Sequence, residues 1–394
     1  MSGIVIHPEK IPDPARAVEI CPFGAIQLNA SGKLEISAAC RLCKACVRNG
    51  PPGGFEFVED KPEQTVDKTA WNGIAVYIDQ TKGRIHPVSL ELIGKARELA
   101  DKTSQPVFAL LIGHGLDDTA KELRHYGVDK IFQYDAPELS GFRNEPFAAA
   151  FEDFIRKDKP STVLVGGTTV GRSLAPRVAA RFATGLTADC TSLDVQPNTD
   201  LDQIRPAFGG NIMAHIRTPN QRPQFATVRY KIFSAPERRK EASGEIIVRT
   251  LPAEKLASPV EILASDPKPP VKLIEDANVV VVAGLGIGCK ENLVPLQRLA
   301  DKLGGMLGAS RPVVEAGWVE PRCQIGLSGR TVKPQLLIAC GVSGSIQFSA
   351  GITGAERIIA INNDPDAPIF KVAHVAVVGD VTEIIPALLR EIGA

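Results

Sequence analysis

Apolar residues along this chain gather into short unbroken runs rather than alternating ones. Ile74-Ala75-Val76-Tyr77-Ile78, Val107-Phe108-Ala109-Leu110-Leu111-Ile112, Lys130-Ile131-Phe132-Gln133-Tyr134 and Thr162-Val163-Leu164-Val165 are separated by segments with helical spacing. Strands apolar at nearly every position are buried on both faces, and with helices between them they predict an open parallel sheet. The pattern breaks at Asp266-Pro267-Lys268-Pro269-Pro270 and resumes as Val279-Val280-Val281-Val282, Leu336-Leu337-Ile338-Ala339, Ile358-Ile359-Ala360-Ile361 and Val375-Ala376-Val377-Val378. A second doubly wound domain is predicted there. The first sixty or so residues hold no such series and end in the polar linker Glu59-Asp60-Lys61-Pro62-Glu63-Gln64. The expected fold is therefore α/β, with a small domain over residues 1–62, a doubly wound domain over 68–265 and another over 271–394, the last free to turn about the Pro-rich joint.

Composition narrows the function classes. The 394 residues carry 45 Lys+Arg and 45 Asp+Glu, a balance that gives no footprint for nucleic acid or an anionic membrane. Met1-Ser2-Gly3-Ile4-Val5-Ile6-His7-Pro8-Glu9-Lys10 meets proline and charge too early for a signal peptide, and no apolar run approaches a membrane span, so a cytoplasmic protein is expected. Of the eight cysteines, Cys190, Cys289, Cys323 and Cys340 are singly spaced and read as ordinary buried thiols. The six histidines are scattered without ligand spacing, and Trp71 and Trp318 read as packing residues.

The other four cysteines form a pattern. Cys40-Arg41-Leu42-Cys43-Lys44-Ala45-Cys46 has C-x2-C-x2-C spacing, and Cys21-Pro22 stands upstream. Such a run presents three thiolates to three irons of a cubane and leaves the fourth iron to a remote ligand, for which Cys21 is the candidate. The arrangement resembles a bacterial-type ferredoxin in which one cluster is kept and its twin lost. Residues 1–20 have no Cys triplet, and Gly50-Pro51 stands where the twin's Cys-Pro would fall. Four thiolates also suit tetrahedral zinc, but zinc sites usually pair two C-x2-C knuckles. A [4Fe-4S] cluster on Cys21, Cys40, Cys43 and Cys46 is the expectation. A domain this small would draw folding energy from it.

A second chemistry gathers at the C-terminal sheet. Gly284-Leu285-Gly286-Ile287-Gly288 follows a strand, but Cys289 replaces the third glycine of G-x-G-x-x-G and no acidic residue follows at the ribose-binding distance. Taken alone it is equally a tight turn. Downstream, Gly341-Val342-Ser343-Gly344-Ser345-Ile346-Gln347, Asn362 and Asp380 all follow strands at the same carboxyl edge, and Ser310-Arg311 and Gly326-Leu327-Ser328-Gly329-Arg330 add hydroxyls and cations. Open α/β sheets bind ligands at that edge.

Several of these stretches, with Gly308-Ala309-Ser310-Arg311-Pro312-Val313-Val314 and Ile361-Asn362-Asn363-Asp364-Pro365-Asp366-Ala367-Pro368-Ile369-Phe370, closely resemble the FAD domain of electron-transfer flavoprotein α subunits. Gly171-Arg172-Ser173-Leu174-Ala175-Pro176-Arg177-Val178-Ala179-Ala180-Arg181, Thr187-Ala188-Asp189 and Arg205-Pro206-Ala207-Phe208-Gly209-Gly210-Asn211 resemble the family's preceding domain. The resemblance implies FAD held by Ser310, Arg311, Ile325, Gly326, Leu327, Ser328, Ser343, Gly344, Ser345, Ile346, Gln347, Phe348, Asn362, Asp380 and Val381. Arg311 would favour the anionic reduced flavin, because a guanidinium does not give up its charge. A β subunit carrying AMP or a second FAD would complete a heterodimer, with an acyl-CoA or 2-hydroxyacid dehydrogenase and ferredoxin as further partners. The cysteine-bearing extension resembles that of anaerobes whose flavoprotein serves a lactate or caffeyl-CoA system, some of them electron-bifurcating. Three positions depart from the family: Phe348 stands for a usual His, Leu327 for a Gln and Leu285 for an Arg. The rival reading is an NAD-dependent oxidoreductase with an accessory ferredoxin module, which no acid–base pair supports.

Overall fold

The structure is a computed structural model that describes residues 3–29, 31–37, 39–58, 66–207, 212–266 and 272–393. The linker residues 59–64, the Phe208-Gly209-Gly210-Asn211 part of the family motif and the expected Pro267 to Pro270 hinge lie outside the described residues. The chain divides into two compact units, Met1–Thr65 and Val66–Ala394.

The first unit is built from short pieces. Strand β1 (Gly3–Ile6) pairs antiparallel with β4 (Phe55–Val58), and β2 (Ile26–Leu28) with β3 (Leu34–Ile36). Helix α1 (Pro14–Val18) starts where it does because the Asp13 carboxylate accepts from the Ala15 and Arg16 N–H groups and Pro14 takes the first helical position. Helix α2 (Ala45–Asn49) ends at Gly50. Among the described residues the buried apolar core is Ile11, Ala17, Ile26, Cys46 and Phe55, with Ile4, Ile6, Val18, Ile20 and Leu34 partly buried against it, a small core for a unit of this length.

In the second unit a seven-stranded parallel sheet runs in the order β11-β15-β10-β5-β8-β9-β16. Its strands are β5 (Ile74–Ile78), β8 (Val107–Gly113), β9 (Lys130–Asp135), β10 (Thr162–Gly166), β11 (Leu186–Cys190), β15 (Gln224–Val228) and β16 (Glu245–Arg249). Between β5 and β8 lie the hairpin of β6 (Gln80–Thr81) and β7 (Arg84–Ile85) and helix α3 (Pro87–Thr103); α4 (Asp117–Leu123) connects β8 to β9, and α7 (Ala253–Leu256) follows β16. The period of two sorts the strand residues between faces. Ile74, Val76, Ile78, Ala109 and Leu111 pack under Val88, Leu92, Ala96 and Leu99 of α3. Ala75, Tyr77, Phe108, Leu110 and Ile112 pack on the other face against α5 (Asn144–Asp158) and α6 (Thr169–Arg181) through Phe147, Phe151, Phe154, Leu174 and Val178. A smaller antiparallel sheet of β12 (Ser192–Val195), β13 (Leu201–Ala207) and β14 (Ile212–Ile216) stands beside β11 and was not anticipated.

The second parallel sheet has the order β18-β17-β19-β20-β21, from β17 (Val279–Ala283), β18 (Met306–Ala309), β19 (Leu336–Cys340), β20 (Arg357–Asn362) and β21 (Val375–Val378). Alternate residues again divide. Val280 and Val282 join Leu337 and Ala339 in one cluster, while Val281 and Ala283 meet α8 (Leu293–Lys302) and α11 (Val381–Glu391) in the other. In this order the chain leaves β17 toward one side and β19 toward the other, so a crevice opens above the carboxyl ends of these two neighbours. The two sheets of this unit touch through polar bonds: Tyr230 Oη donates to Asp276 at 2.8 Å, Lys333 Nζ to Ser234 Oγ at 2.8 Å and Arg229 Nη1 to the Leu327 carbonyl at 2.8 Å.

The solitary cysteines differ from expectation. Cys190 and Cys340 are buried, but Cys323 is half-buried and Cys289 is exposed, because it follows the glycine turn rather than lying within a strand. Trp71 and Trp318 pack against the clusters as expected. No helix among the described residues is long and apolar enough to cross a membrane.

Candidate functional site

The crevice above β17 and β19 is a cleft of about 730 Å³, within the range of cofactor sites. Its floor exists because two backbone turns press together. Gly284 N–H donates to Cys340 O at 2.8 Å and Gly286 N–H to Gly341 O at 3.0 Å. A side chain at Gly284 would strike the Gly341 backbone, and Gly341 itself sits at φ +63°. The glycine turn after β17 is a single 3-10 turn, Leu285–Ile287, whose glycines serve this close approach. It opens no helix N-terminus for a pyrophosphate, and the NAD reading finds no support here.

Most of the expected residues meet in this cleft: Ser310, Arg311, Ile325, Gly326, Leu327, Ser328, Ser343, Ser345, Gln347, Phe348 and Asn362 all line it. Ser310 follows β18 and precedes the next helix, is 7% exposed, and its hydroxyl has no hydrogen-bond partner among the described residues. Arg311 begins the short helix α9 (Arg311–Glu315), where its Nε reaches Glu315 Oε1 at 2.7 Å, and it is the one cation among the lining residues. Ser328 Oγ accepts from Gln324 Nε2 at 2.9 Å. Leu327 N–H donates to Gln347 O at 2.9 Å, which ties the 326–330 loop to α10 (Ile346–Ser349). Ser345 caps α10, its Oγ accepting from Phe348 N–H at 3.4 Å. Asn362 is spent on its own loop, donating to Val342 O at 2.9 Å and accepting from Asp364 N–H at 3.0 Å.

Four expected residues stand off the cleft. Gly344, at φ +84°, leaves room for the Ile369 backbone, and Ile346 is half exposed on α10. Asp380 caps α11, accepting from Thr382 N–H and Oγ1 at 2.7 Å each, and these bonds hold its carboxyl below the usual range. Val381 is the buried first residue of α11. In their place Gly286, Pro312, Gly341, Val342, Asp364, Ala367 and Pro368 complete the walls with Leu285. Ala367 and Pro368 follow β20 at the carboxyl edge, a position that could have marked them.

The cleft suits a flavin nucleotide in its donor set. It has apolar walls from Leu285, Ile325, Val342 and Phe348, a free hydroxyl on Ser310, a glycine-lined floor and one guanidinium, at the edge where such sheets bind nucleotides.

In the first unit Cys21, Cys40, Cys43 and Cys46 line one narrow hollow with Ile4, Ile26 and Ile36. Cys21 Sγ accepts from Ala25 N–H at 3.3 Å. Burial pushes this thiol up, but the N–H groups of Ala25, Phe23, Ile26 and Gly24 outweigh it and hold Cys21 below its ordinary value. Burial pushes Cys46 up, with Cys40 and Cys21 adding to the rise. Leu42 and Lys44 lie in the left-handed region at φ 51° and 60°, a strain of about 1–3 kcal/mol each. They bend the loop whose Cys40, Cys43 and Cys46 line the hollow. At Gly50 a Cβ would meet the Phe55 ring at 2.8 Å and the Cys46 carbonyl, so a cysteine for a second cluster has no room there. Among the described residues no group of three or more His, Cys, Asp or Glu side chains is arranged to hold a metal ion. The four cysteines line one cavity.

Comparison with known proteins decides the family. The electron transfer flavoprotein domain matches residues 74–254, and the electron transfer flavoprotein FAD-binding domain matches residues 273–353. The chain belongs to the electron transfer flavoprotein α family. The LctC subunit of a lactate dehydrogenase (NAD(+),ferredoxin) from Acetobacterium woodii is 52% identical over 394 residues, covering 100% of this chain and 94% of its own. Electron transfer flavoprotein α subunits of Megasphaera elsdenii and Thermoanaerobacterium thermosaccharolyticum are 44% and 42% identical, covering 83% and 82% of this chain and 98% of each relative. The C-terminal sheet is thus the FAD-binding part of a flavoprotein, and the cleft above β17 and β19 is its candidate cofactor site.

Proposed function

We propose that this chain is the FAD-carrying α subunit of an electron carrier that pairs with an electron transfer flavoprotein β subunit and serves a lactate-type 2-hydroxyacid dehydrogenase. We further propose that Cys21, Cys40, Cys43 and Cys46 hold a [4Fe-4S] cluster that exchanges single electrons with a ferredoxin, within an electron-bifurcating complex. The observation that carries the reading is the match of the FAD-binding domain to a sheet whose switch-point crevice is lined by Ser310, Arg311 and Ser328. The 52% identity with the LctC subunit spans the cysteine-bearing unit as well, and the dehydrogenase and ferredoxin partners come from that relative's name.

Bound FAD supplies two-electron and one-electron redox chemistry. Arg311 places positive charge at the cleft mouth, where added electrons bring negative charge. The Ser310 and Ser328 hydroxyls offer neutral hydrogen bonds, while Phe348 and Ile325 exclude water from the inner wall. In the first unit, backbone N–H groups around Cys21 stabilise the deprotonated thiol.

The test is composition after anaerobic purification. One FAD, about four irons and about four acid-labile sulfides per chain are expected. Protein without flavin would overturn the first proposal, and stoichiometric zinc in place of iron the second.

A further inference from the structure

We propose that a second hollow in the Val66–Ala394 unit, distinct from the flavin cleft, binds a small organic oxyanion, either a carboxylate or a phosphate monoester. It has a volume of about 250 Å³ and lies between the carboxyl ends of β11 and β13 and the loop that follows Gly326. That is below the size of drug-sized sites, so its ligand is small.

The charge of this hollow is out of balance. Asp189 is the acidic residue among those lining it, and it is already doubly paired, with Arg229 Nη2 at 2.8 Å and Arg172 Nη2 at 3.0 Å. Arg205 also lines the wall, and the one bond its side chain makes among the described residues is from Nε to its neighbour's carbonyl, Pro206 O, at 3.4 Å. Two further donors of the same wall are buried without a partner, Arg229 Nε and the Thr191 hydroxyl. Buried donors are rarely left so, and each costs about 1–3 kcal/mol unless something accepts from it. An anion in the hollow would accept from the Arg205 guanidinium directly, and from Arg229 Nε and the Thr191 hydroxyl by drawing the wall around itself, since both of these atoms are sealed from water.

The backbone is shaped to the same end. The β11–β15 register slips between Thr187 and Cys190, and Asp189 lies in the left-handed region at φ 56°. Bulges and strained residues that re-aim side chains collect at binding sites. Ile232, Leu327 and Ala350 line the same hollow and give apolar surface for the ligand's carbon body. Leu327 also lines the flavin cleft, so occupancy here touches a loop shared with it. The binding itself does not rest on the flavin reading.

The test is calorimetric titration of the full-length, FAD-loaded protein with inorganic phosphate and, separately, propionate. Saturable one-to-one binding of at least one probe in the millimolar range is expected, weakened at least about tenfold by Arg205→Gln. Arg217→Gln, which alters an exposed arginine of the segment after β14, should leave it unchanged. A preference for phosphate assigns the ester and a preference for propionate the carboxylate. If Arg205→Gln fails to fold, Thr191→Val should weaken binding by about fivefold. No saturation by either probe, or equal binding in wild type and the substituted protein, overturns the proposal.

Discussion

Phe348 serves two surroundings at once. Its ring is 5% exposed within the cluster that holds Ile325, Val342 and Ile369, yet it also lines the flavin cleft where the family resemblance implies a His. A flavin gaining an electron gains negative charge, and a donor at this position would stabilise it. Phe348→His should raise the potential for the first electron by roughly 65–130 mV, the equivalent of a hydrogen bond to a charged group. A spectroelectrochemical titration without an upward shift would show that the ring does not reach the cofactor. Glu91 offers a second residue-scale prediction. Burial under β15 and the turn after it pushes its carboxyl up to about 7 from 4.5, although Lys231 N–H bonds both its oxygens, at 3.0 and 3.2 Å. Between those two values the folded protein keeps a proton that the unfolded chain has released, so stability falls as pH rises from about 4.5 to 7. The lowered carboxylates Asp135, Asp153, Asp189, Asp200 and Asp202 act with the opposite sign, but only below 3.8. Urea unfolding at pH 5 and pH 7 should therefore show wild type losing about 2–3 kcal/mol more than Glu91→Gln. Parallel losses would show that Glu91 stays ionised.

At the level of elements, the flavin cleft depends on how closely the turns after β17 and β19 approach. A Cβ at Gly284 would lie 2.6 Å from Val342 Cα and closer still to the Gly341 carbonyl. Gly284→Ala must push the two turns apart, and should cost about 1–3 kcal/mol and lower the FAD content of purified protein. An unchanged urea midpoint with full FAD would mean that the turns yield freely. The same geometry explains what could be read in advance. Strands β5, β8, β17 and β19 were legible because both faces are buried, which leaves an unbroken apolar run. Strand β18 was not, because Gly308 faces Ile274 and Ile325 where a Cβ would come within 2.7 Å, and small residues there break the run. The antiparallel β12–β14 sheet was hidden for another reason: its outer residues are exposed, and the sequence of β13 carries a proline, Pro206, that reads against a strand. Loops at the carboxyl edge were legible from their serines and glycines. The expectation for Asp380 rested on the same edge, but its carboxylate is engaged by Thr382, and strand order, which sets it at β21 on the sheet's far side, is not written in local sequence.

On the scale of the whole molecule, the two units differ in what holds them. Among the described residues, the Val66–Ala394 unit has four extensive clusters around its two sheets, whereas the Met1–Thr65 unit has one cluster of five buried residues with partly buried neighbours. Backbone strain at Leu42 and Lys44 further weakens it. A metal cluster that cross-links Cys21 to the 40–46 loop would close the chain between them and add binding energy that becomes folding energy. Cys21→Ser should therefore lose most of its iron and also make the first unit susceptible to protease under anaerobic conditions. The fragment from about residue 66 onward should survive with its FAD, because its own cores do not depend on the thiols. Mass spectrometry of a timed digest separates the outcomes. Rapid cleavage confined to the first unit in Cys21→Ser, with the iron-loaded wild type intact, is the expected result. Equal resistance of the two proteins would show that the small core suffices without the cluster, and uniform degradation of the substituted chain would show that the two units do not fold independently.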